Sequence, residues 1–413
     1  MHSESLRHQE GASMGFDTSQ FGLSTEGRAI LDTVHRFAEE VMRPAGIALD
    51  KMDDPADVIA PGSVLWDVHA KYRELGIGQL ADLDGLDRTE RIQLQALVNE
   101  ELGWGDSGLA ISLAVAGFPR NFVELTGDSE MIERVGGPDS PTIGCWAITE
   151  PDHGSDTLCY TERSFSNPSV RANCIAHRDG DDYVINGSKA AWVSNGTIAD
   201  VAALFCTIDG DGGFEKGGVC VLPLDLEGVS RGVPLDKLGQ RALPQGEIHF
   251  DDVRIPARWM AIDPEMYVMA IEGVLANANA GMGSLFAGTA RAAYEMALDY
   301  AKERVQGGVP IAEHPAVRAR LFKMFTKVEA ARSLSGRVLA MAVAGPRELK
   351  YSIASKTFCT DTAFEVSSDA IQIFGGNGLT REYPIEKLLR DARASMIEDG
   401  CNEMLRIVGG AKL

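Results

Sequence analysis

The spacing of the apolar residues changes twice along this chain, and that change limits its folds more than any other feature. From about residue 24 to 137 apolar residues recur three and four apart. In the run opened by Ser24-Thr25-Glu26, residues Ile30, Leu31, Val34, Phe37, Ala38 and Val41 would share one helix face. Further helical runs cover 65–75 and 88–102, and Asp128-Ser129-Glu130 opens a short one. From about 141 to 256 the period is two. Segments 142–148, 183–185, 201–206, 218–222 and 247–250 read as strands, separated by Gly, Asp and Asn clusters, and 165–169 reads as a loop. From about 263 the helical period returns over 266–304, 314–344, 346–374 and 383–408. Strands this close together, without long helices between them, favour an antiparallel barrel or sandwich over a doubly wound sheet. The expected architecture is α+β: a disordered lead-in over 1–20, an N-terminal α-helical domain over 21–140, a middle β-barrel or sandwich domain over 141–260, and a C-terminal four-helix bundle over 261–413. The Ala- and Gly-rich stretch 276–297 predicts helices that approach closely.

Bulk properties exclude several classes. A net charge of −21 over 413 residues argues against nucleic acid or an anionic membrane as partner. The longest apolar stretch is strand-length, well below the ~20 residues a spanning helix needs. The first residues, MHSESLRHQEGASMG, lack the apolar stretch of a signal peptide. Seven cysteines, at 145, 159, 174, 206, 220, 359 and 401, form no CxxC pair. That pattern suits reduced thiols in a cytoplasmic protein and predicts neither a disulfide framework nor a metal site. The final Ala-Lys-Leu is similar to a peroxisomal address, with a chance tail as the alternative.

Four segments carry the chemistry. Cys145-Trp146-Ala147-Ile148-Thr149-Glu150-Pro151-Asp152-His153-Gly154-Ser155-Asp156 leaves a strand and enters a turn rich in N–H donors and hydroxyls, suited to a polar ligand or to an ordinary hairpin. The others are Asn186-Gly187-Ser188-Lys189-Ala190-Ala191-Trp192-Val193-Ser194-Asn195, Ala301-Lys302-Glu303-Arg304, and Gln372-Ile373-Phe374-Gly375-Gly376-Asn377-Gly378 with Tyr383-Pro384 and Arg390-Asp391-Ala392-Arg393.

In this order the four resemble signatures of the acyl-CoA dehydrogenase superfamily: T-E-P-x-x-G-S-D, N-G-x-K-x-W-I-T-N, A-x-E-R, and Q-I-F-G-G-x-G…Y-P…R-D-A-R. The resemblance covers the chain from about residue 20. It implies FAD held between the β-domain and the helical bundle. It also implies roles at matching positions. Thr149 would contact the flavin ring, and Ser155 would lie near the cofactor's phosphates or the substrate. Trp192 would lie against the isoalloxazine, with core packing as the alternative, and Ser194 would hydrogen-bond near N5. Arg304 would bind the pyrophosphate of a neighbouring subunit's FAD, and Gln372, Gly375 and Gly376 would take that FAD from the neighbour's side. A shared cofactor implies an oligomer, usually a homotetramer.

The family's base is the Glu of Y-E-G-T-x-E. Here the segment is Ile397-Glu398-Asp399-Gly400-Cys401-Asn402-Glu403. Alignment on Gly400 puts Asp399 at the base position and Glu398, the rival base, at the Tyr position; alternatively Asp399 is a helix-start residue. An Asp carboxylate sits ~1.5 Å further back than a Glu, and a misplacement of ~1 Å can cost ~10²-fold in rate. Other departures are the lack of a carboxylate or Arg in 275–281, Gly307 where the family often has Phe, Pro315 where it often has Gln, and one extra residue between Lys189 and Trp192.

The resemblance implies an acyl thioester dehydrogenase, with Asp399 taking the α-proton, flavin N5 taking the β-hydride, and an electron-transferring flavoprotein as electron acceptor. One alternative is a flavin oxidase: Asp399, Gly288-Thr289-Ala290-Arg291-Ala292-Ala293 and Gly307-Gly308 also resemble nitroalkane oxidases. Another is a non-catalytic subunit of a heteromeric dehydrogenase.

Overall fold

The computed structural model describes residues 22–78, 86–137, 140–210 and 212–413. The lead-in expected over 1–20 lies outside the described residues. Among the described residues eight α-helices come first: α1 (Thr25–Phe37), α2 (Arg43–Asp50), α3 (Pro55–Ile59), α4 (Val64–Glu74), α5 (Arg88–Gly105), α6 (Ser107–Ala116), α7 (Arg120–Val123) and α8 (Ser129–Val135). Their starts are written in the sequence. Ser24 Oγ accepts the Gly27 N–H at 3.0 Å, and Asp87, Asp106 and Asp128 accept the N–H three residues on, each at 2.9 Å. Each cap satisfies a donor that the first helical turn leaves unpaired.

The strands follow: β1 (Gly144–Ala147), β2 (Ile175–Asp179), β3 (Asp182–Ser194), β4 (Val201–Ile208), β5 (Gly217–Pro223), β6 (Val229–Arg231), β7 (Gln245–Pro256) and β8 (Met260–Ile262). They form one sheet in the order β6-β7-β3-β2-β4-β5-β8, with β1 paired to β4. Most pairings are antiparallel, as expected, but β1 and β2 both run parallel to β4. Strands β2, β6 and β8 escape the period-two pattern: β2 is mostly exposed, and the other two have three residues each. The Asn-Gly-x-Lys segment lies inside β3, not in a loop after it. The extra residue there is a β-bulge, where the register against β7 shifts between Lys189 and Val193. Alternate residues of β1 serve two cores. Cys145 and Ala147 pack within the sheet layer, while Trp146, and Ile148 just beyond the strand, pack toward the C-terminal helices.

The bundle consists of α9 (Tyr267–Glu303), a short hairpin of β9 (Val305–Gln306) and β10 (Val309–Pro310), then α10 (Pro315–Ala340), α11 (Leu349–Phe374), α12 (Ile385–Ser395) and α13 (Asn402–Gly410). The small residues of α9 do let another helix in. A Cβ on Gly288 would lie 1.9 Å from Glu100 O, and one on Gly103 would lie 1.9 Å from Leu285 O, so α5 and α9 touch backbone to backbone. Beside this crossing, buried Arg291 bonds Glu100 and Glu101 at 2.6 Å each, and Arg332 bonds Glu100 at 2.8 Å. The helical run expected over 383–408 is two helices. The break over 396–401 contains Asp399 at φ +52° and Gly400 at φ +89°. Helix α13 starts after Cys401, so Asp399 is not its cap.

Candidate functional site

The motif residues nearest the site are partly scaffold. Glu150 and Lys189 form an ion pair at 2.6 Å with both side chains essentially inaccessible. Glu150 also accepts the Cys174 N–H at 3.1 Å, and Lys189 reaches Ile148 O at 3.2 Å. Ala190 N–H donates to Thr149 O at 2.8 Å. The Thr149 turn is thus fastened to the bulged part of β3. Asn195, at φ +61°, donates to Ser112 O and Gly144 O, and its amide oxygen accepts from Ser112 Oγ. Buried polar groups tied in this way fix the loop geometry.

On this scaffold, Thr149, Ser155, Trp192 and Ser194 line a cavity of about 490 Å³ together with Glu398 and Asp399. Trp192 is 58% exposed, so it is not a core residue. It stands in the cavity lining. Gln245 Nε2 donates to Trp192 O at 3.1 Å and to Ser194 Oγ at 3.2 Å, and Gln245 Oε1 accepts from Lys237 Nζ at 2.7 Å. The Ser194 oxygen therefore already accepts one bond, leaving its own O–H to donate. Burial pushes Lys237 down to about 7.

Glu398 and Asp399 are half-buried and reach solvent through this cavity. Glu398 is tied, because Gln240 Nε2 donates to its Oε1 at 2.6 Å. Burial, and next the Asp399 charge, push Glu398 up to about 7. The Asp399 carboxylate has no hydrogen-bond partner among the described residues, and burial raises its pKa while Lys356 opposes that rise. A desolvated carboxylate with raised proton affinity and free lone pairs has the properties of a general base. The loop that carries it is clamped on both sides. Cys401 N–H donates to Ser155 Oγ at 2.9 Å from the β-domain side, and Lys356 Nζ on α11 donates to Gly400 O and Asn402 Oδ1 at 2.9 Å each.

Arg304, Gln372, Gly375 and Gly376 are not brought to this cavity. They line a second one, of about 980 Å³, with Tyr300, Gly307, His314 and Asn377. Gly375 is at φ +62°, and a Cβ on it or on Gly376 would meet nothing within 4 Å. The departure at Gly307 lies in this lining, and Pro315 stands between the lining residues His314 and Ala316 without joining them. Gly307 and Gly308, at φ +67° and +87°, make the tight turn between β9 and β10, and Pro315 opens α10. Among the described residues no cluster of His, Cys, Asp and Glu could hold a metal ion, and no helix is long and apolar enough to cross a membrane.

Sequence reasoning missed Lys237, Gln240, Gln245 and Lys356. The first three lie between motifs; Gln240 and Gln245 act through contacts distant in sequence, and Lys237 bonds Gln245. Lys356 had a signal: it falls on the buried stripe of α11 with Ile353, Thr360 and Ala363, where a lysine is out of place unless something holds its charge.

Residues 145–253 match the model of the acyl-CoA dehydrogenase middle domain, and residues 268–413 match that of the acyl-CoA dehydrogenase C-terminal domain. Cyclohexane-1-carbonyl-CoA dehydrogenase of Geobacter metallireducens is 29% identical over 398 residues, covering 94% of this chain and 97% of that one. Benzylmalonyl-CoA dehydrogenase of Aromatoleum aromaticum is 30% identical over 393 residues, covering 94% and 98%. Among solved structures, butyryl-CoA dehydrogenase from Megasphaera elsdenii superposes with a TM-score of 0.81 at 26% identity, covering 96% of this chain and 99% of that one. With both domain models matched in order and relatives aligned over nearly its whole length, this chain belongs to the acyl-CoA dehydrogenase family of oxidoreductases.

Proposed function

We propose that this chain is an FAD-dependent dehydrogenase of an acyl thioester, with Asp399 as the base that removes the α-proton. The observation that carries the assignment is the position of Asp399. It lines the same cavity as Thr149, Trp192 and Ser194, its carboxylate is unbonded among the described residues, and its loop is clamped from two sides. Glu398 is the weaker candidate, because Gln240 already occupies one of its oxygens.

The residues present fit FAD. A planar ring system needs an uncovered aromatic face and edge donors, and exposed Trp192, the Ser194 hydroxyl and Thr149 offer these around one cavity. A pyrophosphate needs a cation and open backbone, and Arg304 with the uncovered Gly375-Gly376 turn offers these in the other. That the two sets lie in separate cavities of one chain supports a cofactor shared between copies, and hence an oligomer, a homotetramer by the family's habit. When bound, FAD supplies the hydride acceptor. The chain's residues do the rest. Trp192 and Thr149 would hold the ring, the Ser194 O–H would be free to donate to it, and Asp399 would take the proton from the α-carbon. The electron-transferring flavoprotein implied by the family would then collect the electrons.

The test is Asp399→Asn. The variant is expected to keep the yellow flavin spectrum and to lose anaerobic bleaching by a panel of acyl-CoAs. Full activity in it would end the base assignment. A wild-type protein that makes peroxide from nitroalkanes and does not bleach with acyl-CoAs would instead be an oxidase, and a colourless wild-type chain would be a non-catalytic subunit.

A further inference from the structure

Lys356 is completely buried in the middle of α11, yet it forms no direct ion pair among the described residues. Both bonds from its ammonium go to neutral oxygens, Gly400 O and Asn402 Oδ1, on the segment that follows Asp399. Asn402 is itself fully buried and is fixed by Thr360 and Asp361, its amide donating to them at 3.0 and 2.9 Å. A buried ammonium needs a compensating charge, and removing such a charge is expensive. The charges facing Lys356 are Asp399 first, then Glu398 and Cys401 on the loop and Asp361 on α11. Around the acidic pair lie Lys237 and, from α12, Asp391, Arg390 and Arg393. Arg390 is committed to Asp50 and Glu386, and Lys237 is bonded to Leu243 and Gln245. Among the described residues, Lys356 is the cation whose charge lowers the proton affinity of Asp399 against burial. Asp399 and Gly400 also hold consecutive left-handed backbone conformations, which for Asp399 is strained and needs outside support.

We infer that Lys356 is a positioning residue for the base: its ammonium pins the loop at Gly400 and Asn402, and its charge is the one against which the Asp399 carboxylate ionises. The inference rests on Asp399 as the base. Burial favours the protonated form of this carboxyl, and a protonated base cannot accept a proton. A positive charge on α11 restores the ionised form without touching the lone pairs that face the cavity. Burial in turn draws Lys356 down to about 8, so the two groups share a proton balance.

The test uses the full-length holoprotein and reads the carboxyl itself. Isotope-edited infrared titration follows Asp399, with the band assigned by its loss in Asp399→Asn. In Lys356→Gln the Asp399 titration is expected to move up by about one pH unit, the scale on which a nearby opposite charge acts. The acid limb of kcat/KM should move with it, while Lys356→Arg keeps the wild-type midpoint. A Lys356→Gln protein whose Asp399 titrates as in wild type, however much activity it has lost, would overturn the inference and leave the lysine merely structural. Should the Gln variant not fold, the reciprocal measurement needs no lysine change. With carbon-13 lysine, Lys356 must lose its proton at lower pH in Asp399→Asn than in wild type, and equal titrations would sink the idea. Full activity in Asp399→Asn would remove the base reading but not the infrared shift, so the two failures are distinguishable.

Discussion

Ser155 and Cys401 are joined by a hydrogen bond of 2.9 Å in which the Cys401 N–H donates to Ser155 Oγ, linking the turn after β1 to the loop that carries Asp399. The sequence placed Ser155 near phosphates or substrate; it does line the cavity, and it also holds the base loop. Ser155→Ala should cost about 1 kcal/mol of stability, the net value of one hydrogen bond. Its larger effect should be on kcat, lowered ~10- to 100-fold because the base is no longer fixed to within an ångström. Flavin content should be unchanged. Single-turnover reduction kinetics check this, and a wild-type rate would show that the clamp is dispensable.

The Glu150–Lys189 pair predicts non-additivity. Removing one member strands the other charge inside the protein, so Lys189→Met should destabilise the fold by about 3–5 kcal/mol. The double variant Glu150→Leu with Lys189→Met should be less destabilised than that single variant. Denaturant melts of the wild type, both singles and the double form the cycle that decides it.

Glu398 predicts a pH dependence of stability. Its folded pKa, about 7, lies above its ordinary value near 4.5. The folded state therefore favours the protonated form, so the stability Glu398 contributes is full below about 4.5 and is lost as pH rises through about 7. Glu398→Gln has no charge to bury. Relative to wild type it should gain in melting temperature on going from pH 5 to pH 8. A constant difference between the two proteins at both pH values would contradict the raised pKa.

The separation of the two cavities predicts complementation. Arg304→Glu and Trp192→Ala should each bind flavin poorly when expressed alone. Co-expressed, they should recover flavin in a fraction of sites, because mixed oligomers would pair an intact Arg304 set with an intact Trp192 set. Recovery is read from the visible absorbance of purified mixed oligomers. No recovery would argue that both sets serve the same copy's cofactor.

Gly288 predicts a packing cost. A methyl group there would press on the Glu100 carbonyl, so Gly288→Ala should lose about 1–3 kcal/mol as α5 is pushed off α9. Thermal melting of the variant measures it.

Most of the frame was legible because it is local. Helix starts announce themselves through Ser24, Asp87 and Asp128, and the switch of period marks where the sheet begins. What was not legible depends on partners far away in the chain. The parallel pairing of β1 and β2 with β4 leaves no local trace, and β6 and β8 are too short to show a period. The break between α12 and α13 hides in apolar residues that continue the helical spacing, and only the Asp399-Gly400 pair hints at it. At the site, Asp399 could be found by its place beside Gly400. The groups that bond its loop, Gln240 at Glu398, Lys356 at Gly400 and Ser155 at Cys401, lie 158, 44 and 246 residues away from these contacts, and no local pattern links them to it.

The two-sided clamp on residues 400–402 has a consequence for how activity is acquired. One jaw belongs to the β-sheet layer and the other to α11, so the base has its working geometry only when both have docked against the same loop. A newly made chain whose sheet has folded but has not yet seated on the helices would carry Asp399 on a loop not yet fastened from both sides.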